Sequence, residues 1–141
     1  MIDFAKTFSG FSVNDIAVAQ SFYTEKLGLE VLENNGMLNL YFGGHRHLIY
    51  PKSDHEPASY TVLNFPTNEI EATIDQLVGR GVQFEKYPGV DERGINRRGG
   101  PLIAWFKDPA GNVLSVIESR VTEPQLAELQ TAASRQKFPL I

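Results

Sequence analysis

The sequence predicts an α+β fold built from two βαβββ halves. Three observations predict it. Strand-like alternation and helix-like periodicity follow one another as strand, helix and three strands, and that order occurs twice. The halves align at an offset of 54 residues, which places Asp15-Ile16 on Glu69-Ile70 and Tyr23 on Leu77. Gly28 and Gly81 end the two helical stretches, with one residue fewer before the second glycine.

In the first half, residues 7–13 alternate as a strand. Ser9, Phe11 and Val13 share one face; Phe8, Gly10 and Ser12 share the other. Asn14 and Asp15 are N-cap residues, and Ile16, Ala19, Phe22, Tyr23 and Leu27 recur at helical spacing. Strands are expected over 29–32 and 37–42, joined by a turn at Asn34-Asn35-Gly36. A further strand covers 46–50, after Gly43-Gly44, and a loop follows between Pro51 and Pro57. In the second half, a strand is expected over 60–65 and a helix over 69–78. Strands follow over 82–85, 102–106 and 113–117. The 108–112 stretch reads as a turn and the Gly- and Arg-rich stretch 88–100 as a loop. A last helix begins near Thr122 and places Leu126, Leu129 and Ala133 on one face. The expected organisation is a single domain over 1–121, with modules over about 5–51 and 59–118. Residues 122–141 form a helical tail that packs either on the domain or on a second subunit.

Composition excludes several classes of function. The chain has 141 residues and a net charge of −4, and its longest basic cluster is Arg97-Arg98, so no nucleic-acid partner is expected. It has no cysteine, which removes disulfides, thiolate nucleophiles and cysteine-based zinc sites. No stretch approaches the ~18 apolar residues of a membrane span, and the first residues lack a secretory pattern, so no membrane partner and a cytoplasmic location are expected.

Three stretches carry a resemblance to a known family. One is Phe11 to Ile16, followed by Ser21-Phe22-Tyr23 and, three residues on, Leu27-Gly28-Leu29-Glu30-Val31. Another is Asn68 to Leu77 with Arg80-Gly81-Val82. The third is Ala104 to Leu114, with Asp108-Pro109-Ala110-Gly111-Asn112 at its centre. In this order and spacing they resemble the vicinal oxygen chelate superfamily, the glyoxalase, bleomycin-resistance protein and extradiol dioxygenase group, over residues 7–118. The resemblance implies paired βαβββ modules whose sheet halves curve around a shared cavity. It also implies a homodimer.

Metal-dependent members of that family place His or Gln on the first strand of each module and Glu on a last strand. The positions that match here are Phe8, Val62 and Ser115. Phe and Val cannot ligate, and Ser is a poor neutral ligand. No metal or other cofactor is therefore expected. His45 and His47 share a strand face, but two imidazoles without a third ligand make a weak site. Glu118 points away from Ser115 and reads as a solvated strand-end acid.

Phe8, Ser12, His47, Val62, Asn64, Trp105 and Ser115 are the candidate ligand-binding residues, and no catalytic residue can be assigned. Gly10, Ile49, Ile117 and Leu38, Leu40 or their neighbours would complete a mostly apolar cavity. Trp105 either stacks on a planar ligand or fills core between sheet and helix. Arg93, Arg97 and Arg98 either close over an anionic ligand or lie on a solvated loop. Asp108, Gly111 and Asn112 read as turn formers. The leading expectation is a metal-independent protein that binds, and sequesters, an apolar or aromatic small molecule. The alternative is a lyase, isomerase or dioxygenase of the same superfamily with a relocated metal or metal-free acid–base chemistry. A third possibility is an interaction module whose cavity is filled by Phe8 and other aromatics.

Overall fold

The computed structural model describes residues 1–118 and 123–135. A single 3₁₀ turn, Phe4–Lys6, leads into β1 (Ser9–Val13). Helix α1 (Ile16–Ser21) begins at Asp15, whose carboxylate accepts the Val18 N–H at 3.1 Å. The helix then widens into a π-helical turn, Phe22–Lys26, in which the Leu27 N–H reaches the Phe22 carbonyl at 3.2 Å. This turn absorbs the one residue by which the first half exceeds the second before its closing glycine.

The first module continues with β2 (Val31–Asn34), β3 (Met37–Phe42) and β4 (His45–Pro51). Its two hairpins turn through Asn35-Gly36 and Gly43-Gly44. All four residues have positive φ, of 54°, 76°, 61° and 74° in order, which matches the twist of the flanking strands. The second module contains β5 (Thr61–Thr67), α2 (Ile70–Gly79), β6 (Ile95–Asn96), β7 (Leu102–Lys107) and β8 (Val113–Glu118). Helix α3 (Glu123–Ser134) follows; its expected cap, Thr122, lies outside the described residues.

The strands form two four-stranded mixed sheets, ordered β1-β4-β3-β2 and β5-β8-β7-β6. In each, the first strand of the module runs parallel to the last, and the remaining neighbours are antiparallel. The architecture is the expected pair of βαβββ modules. The sheets are not closed and share no ladder.

Helices cover one face of each sheet and the core lies there. Leu38, Leu40 and Ile49 point to it from the first sheet, and Ala104, Phe106, Leu114 and Val116 from the second. All belong to one continuous apolar cluster. Ring contacts carry it across the modules, Phe42 to Phe65 at 6.0 Å and Phe22 to Phe106 at 6.5 Å. A buried polar link joins them as well. The Tyr23 hydroxyl donates to Asp108 Oδ2 at 2.8 Å, and Asn112 Nδ2 donates to Asp108 Oδ2 and to the Ser12 carbonyl, each at 2.9 Å.

Three local expectations are corrected. Residues 82–85 form no strand: Val82 is buried, but the segment makes one bridge, Phe84 with Phe106, and one hydrogen bond from Glu85 N–H to Trp105 O at 2.8 Å. The third strand of the second module lies instead within the expected 88–100 loop, where Ile95 pairs with Ala104 and Asn96 with Ile103. The two segments share the outer edge of β7, which is too short to carry a full strand of each. Glu118 is not a solvated acid. It is half-buried, and its carboxylate accepts the Ile70 N–H at 3.4 Å at the start of α2, where negative charge is favoured. Among the described residues no helix is long and apolar enough to cross a membrane.

Candidate functional site

The face of each sheet that the helices leave uncovered is the candidate binding surface. Strand alternation decides what stands there, because residues paired across a ladder point the same way. Ser9 pairs with His47 and Phe11 with Ile49, while Leu40 also pairs with His47. His47 therefore stands with the core-facing set, and Ile49 and Leu40 are fully buried in it. Gly10, Ser12, Arg46 and Tyr41 occupy the opposite, uncovered face, with Phe8 just ahead of β1.

Phe8 and His47 are thus on opposite sides of the first sheet. His47 is held within the sheet, between β1 and β3: its Nδ1 lies 2.6 Å from Ser9 Oγ, and its ring stacks on Phe42 at 4.8 Å. Burial, and secondarily the neighbouring His45, push its pKa below the usual imidazole value. The neutral form is the one the native state favours. The unfolded chain then takes up the proton first as pH falls, so this contribution is complete above about pH 6.5 and lost as pH drops below it. Urea midpoints at pH 7.5 and 5.5 are expected to fall with acidity, and His47→Gln to shallow that fall; an unchanged slope would contradict it.

Ser12 is engaged on the uncovered side. Its Oγ lies 2.6 Å from His55 Nδ1, and His55 Nε2 donates to the Ala110 carbonyl at 3.1 Å. A carbonyl only accepts, so Nε2 carries a proton, and His55 bridges the modules.

On the second sheet, Asn64 pairs with Ser115 and Ser115 with Trp105, so these three share the uncovered face. Ser115 is completely buried among them and donates to Asn64 Oδ1 at 2.5 Å. The Trp105 indole donates to Thr61 Oγ1 at 3.1 Å and faces Tyr87 at 5.7 Å, so it does not fill core between sheet and helix. Val62 sits at an irregularity between Thr61 and Leu63, has no register partner on β8 and packs against the core cluster.

A cleft of about 420 Å³ opens on the first module where the chain enters β1, lined by Lys6, Phe8, Tyr41, Gly44 and Arg46 among others. It takes in Phe8 but none of Ser12, His47, Val62, Asn64, Trp105 or Ser115. Arg46 is its central feature, and no candidate list drawn from the sequence contained it. Its guanidinium carbon lies 3.6 Å from the centre of the Phe8 ring. Arg46 alternates with His45 and His47, but only the pairing of Ser9 with His47 in the β1–β4 ladder puts it on the Phe8 side. Arg93 and Arg97 take no part, being tied to the surface of α2. Arg93 meets Asp75 at 3.1 Å, and Arg97 meets Glu71 at 2.5 Å and Asp91 at 2.9 Å.

Paired βαβββ modules with one covered and one open sheet face define a class of fold, and the sequence comparison names it. Residues 8–116 match the model of the Glyoxalase/Bleomycin resistance protein/Dioxygenase superfamily, and the chain belongs to that family. Solved structures agree on the fold. A glyoxalase family protein from Enterococcus faecalis aligns at 26% identity and TM-score 0.58, over 82% of this chain and 97% of its own. A virulence protein from Salmonella typhimurium aligns at 20% and 0.60, over 84% and 99%. A fosfomycin resistance protein from Mesorhizobium loti aligns at 11% and 0.59, over 84% and 94%. No curated protein shows a significant match.

Proposed function

We propose that this chain is a small-molecule-binding member of the glyoxalase family that works without the family's divalent metal, as a homodimer, and takes an apolar or aromatic compound on its open sheet face. The observation that carries this reading is the guanidinium of Arg46 over Phe8, at the position that a first-strand ligand occupies in metal-dependent relatives. A fixed cation there repels a second cation. The other two positions offer little more: Val62 has no donor, and the Ser115 hydroxyl is buried and already donated to Asn64. Among the described residues no three His, Asp or Glu side chains converge. The residues present do not fit a divalent ion, and no chemical step is derived through one. Exposed Tyr50 on the first sheet, and exposed Leu126 and Leu129 on α3, supply apolar surface for a second copy.

Elemental analysis of the purified protein, followed by titration with Zn²⁺, Ni²⁺, Mn²⁺ and Fe²⁺, tests the metal-free reading. Substoichiometric metal and no saturable uptake are expected; one tightly held ion per chain would overturn it. Sedimentation equilibrium reads the dimer directly.

A further inference from the structure

We propose that the cleft at the entry to β1 is an oxyanion subsite, in which Arg46 receives the carboxylate or phosphate of a small organic anion. The inference deepens the reading above and rests on this face binding a small molecule.

The case begins with the charge balance of Arg46. It is half-buried, and its Nε is buried without a hydrogen-bond acceptor among the described residues. A guanidinium carries five N–H donors, and none of the ion pairs found among the described residues involves Arg46. Its recorded contact is the π-face of Phe8, which positions the cation without supplying a conventional acceptor. A partly desolvated cation with unused donors is costly for the protein alone, and an oxyanion removes that cost.

The surroundings point the same way. Lys6, His45 and Arg46 line the cleft together with Thr7 and Tyr41, and among the described residues no carboxylate lines it. Asp3 is the nearby acid, 3.7 Å from the Lys6 ammonium in an exposed pair that solvent screens. The whole chain carries a net charge of −4, so a cleft with only basic and neutral groups runs against the overall balance. Phe8 and Tyr41, both about half exposed, add ring surface beside the cation. The combination of a planar fork and flanking rings suits a carboxylate or phosphate attached to an apolar body. At about 420 Å³ the cleft holds a compound of that size.

The test uses four probes on the full chain: benzoate, phenyl phosphate, inorganic phosphate and the neutral isostere benzamide. Binding is followed by ¹H–¹⁵N correlation spectra, including the Arg46 Nε–Hε signal, and by calorimetry. Benzoate and phenyl phosphate are expected to shift Arg46 and the Gly44 and His45 amides, with benzamide at least tenfold weaker. Arg46→Gln is expected to weaken benzoate at least tenfold, and Arg46→Lys, which keeps the charge but not the fork, several-fold. The spectra of the unaltered chain decide the matter even where a variant folds poorly. Any of four results would overturn the proposal: benzamide as tight as benzoate, inorganic phosphate as tight as phenyl phosphate, undiminished affinity in Arg46→Gln, or no shift at Arg46 with any probe. Metal content of the same samples is read independently. A metal-loaded chain with Arg46-dependent benzoate binding overturns the metal-free reading alone, and a metal-free chain indifferent to benzoate and phenyl phosphate alike overturns the subsite alone.

Discussion

Asp108→Ala is expected to destabilise the chain by about 3–5 kcal/mol, the largest effect of any single polar substitution in it. The side chain is 4% exposed, and four donors converge on it. Oδ1 accepts the N–H groups of Ala110 and Asn112, each at 2.9 Å, and Oδ2 accepts the Tyr23 hydroxyl at 2.8 Å and Asn112 Nδ2 at 2.9 Å. Truncation orphans the hydroxyl of Tyr23, which is fully buried, and two backbone N–H groups. Each orphan costs about 1–3 kcal/mol, and the total falls short of their sum because the four act as one network. Asp108→Asn is expected to cost less. Its carbonyl oxygen can still serve the two backbone donors, but its amide then faces the amide of Asn112. Tyr23→Phe removes one donor only and is expected to cost about 1–1.5 kcal/mol. Urea unfolding of the three variants and of the Tyr23→Phe/Asp108→Ala double variant measures the coupling; additive losses would mean that the bond between the modules contributes nothing. The same link has an alkaline signature. Burial, then the charge of Asp108 and the hydrogen bond to it, raise the Tyr23 pKa well above the usual phenol value. The native state therefore keeps a proton that the unfolded chain releases above about pH 10, so this contribution is complete below pH 10 and lost above it. Tyrosine absorbance is expected to show Tyr23 ionising only as the chain unfolds.

The sequence pattern disclosed Asp108 and Asn112 as turn formers and Tyr23 as an inward helix residue, and each statement holds. What it could not disclose is that Tyr23 and Asp108, 85 positions apart, meet. The distinction between local and distant order runs through the whole chain. Elements whose cause is local were legible: the Asn35-Gly36 turn, the Asp15 cap, the helix starts 54 residues apart and the alternation of β1. The candidate site divided along the same line. Alternation alone placed Phe8, Gly10 and Ser12 on one side of β1, while the family resemblance suggested Ser115 as a neighbour of Asn64, and the β5–β8 ladder pairs the two. Where His47 points relative to Phe8 depends on the register of two parallel strands joined through three intervening elements. No residue near His47 records that Ser9 is its neighbour. Val62 escaped alternation because the irregularity in β5 leaves it unpaired. Arg46 was hidden by the same register: alternation sets it opposite His47, and only the β1–β4 pairing puts it beside Phe8.

The third strand of the second module was illegible for a different reason, and Gly94→Ala isolates it. Residues 88–100 lack any apolar period, so nothing in them reads as a strand. Yet Ile95 is fully buried and paired with Ala104. Side-chain chemistry takes the place of the missing pattern. Asp91 Oδ1 accepts the N–H groups of Arg93 at 2.9 Å and Ile95 at 2.8 Å, and its own N–H returns to the Ile95 carbonyl at 2.9 Å. Gly94 completes the turn with φ of +90°, and a Cβ there would stand 2.9 Å from the Glu85 carbonyl oxygen and 3.3 Å from Phe84 Cβ. Alanine must therefore adopt a left-handed backbone, at about 1–2 kcal/mol, and also push the turn off the backbone of residues 84–85. That segment cannot yield freely, because Glu85 N–H is bonded to Trp105 and Phe84 is bridged to Phe106. A total loss of about 2–4 kcal/mol is expected. Faster amide exchange at Ile95 should accompany it, with weakening of the Arg93–Asp75 and Arg97–Glu71 pairs that hold the loop to α2. Gly99→Ala is the internal control. Gly99 lies in the same loop with φ of +78°, and nothing stands within 4 Å of its Cβ position, so only the conformational cost of about 1–2 kcal/mol applies. The difference between the two melting shifts reads the steric part alone. Equal shifts would show that the close approach of Gly94 to Glu85 does not hold β6 against β7.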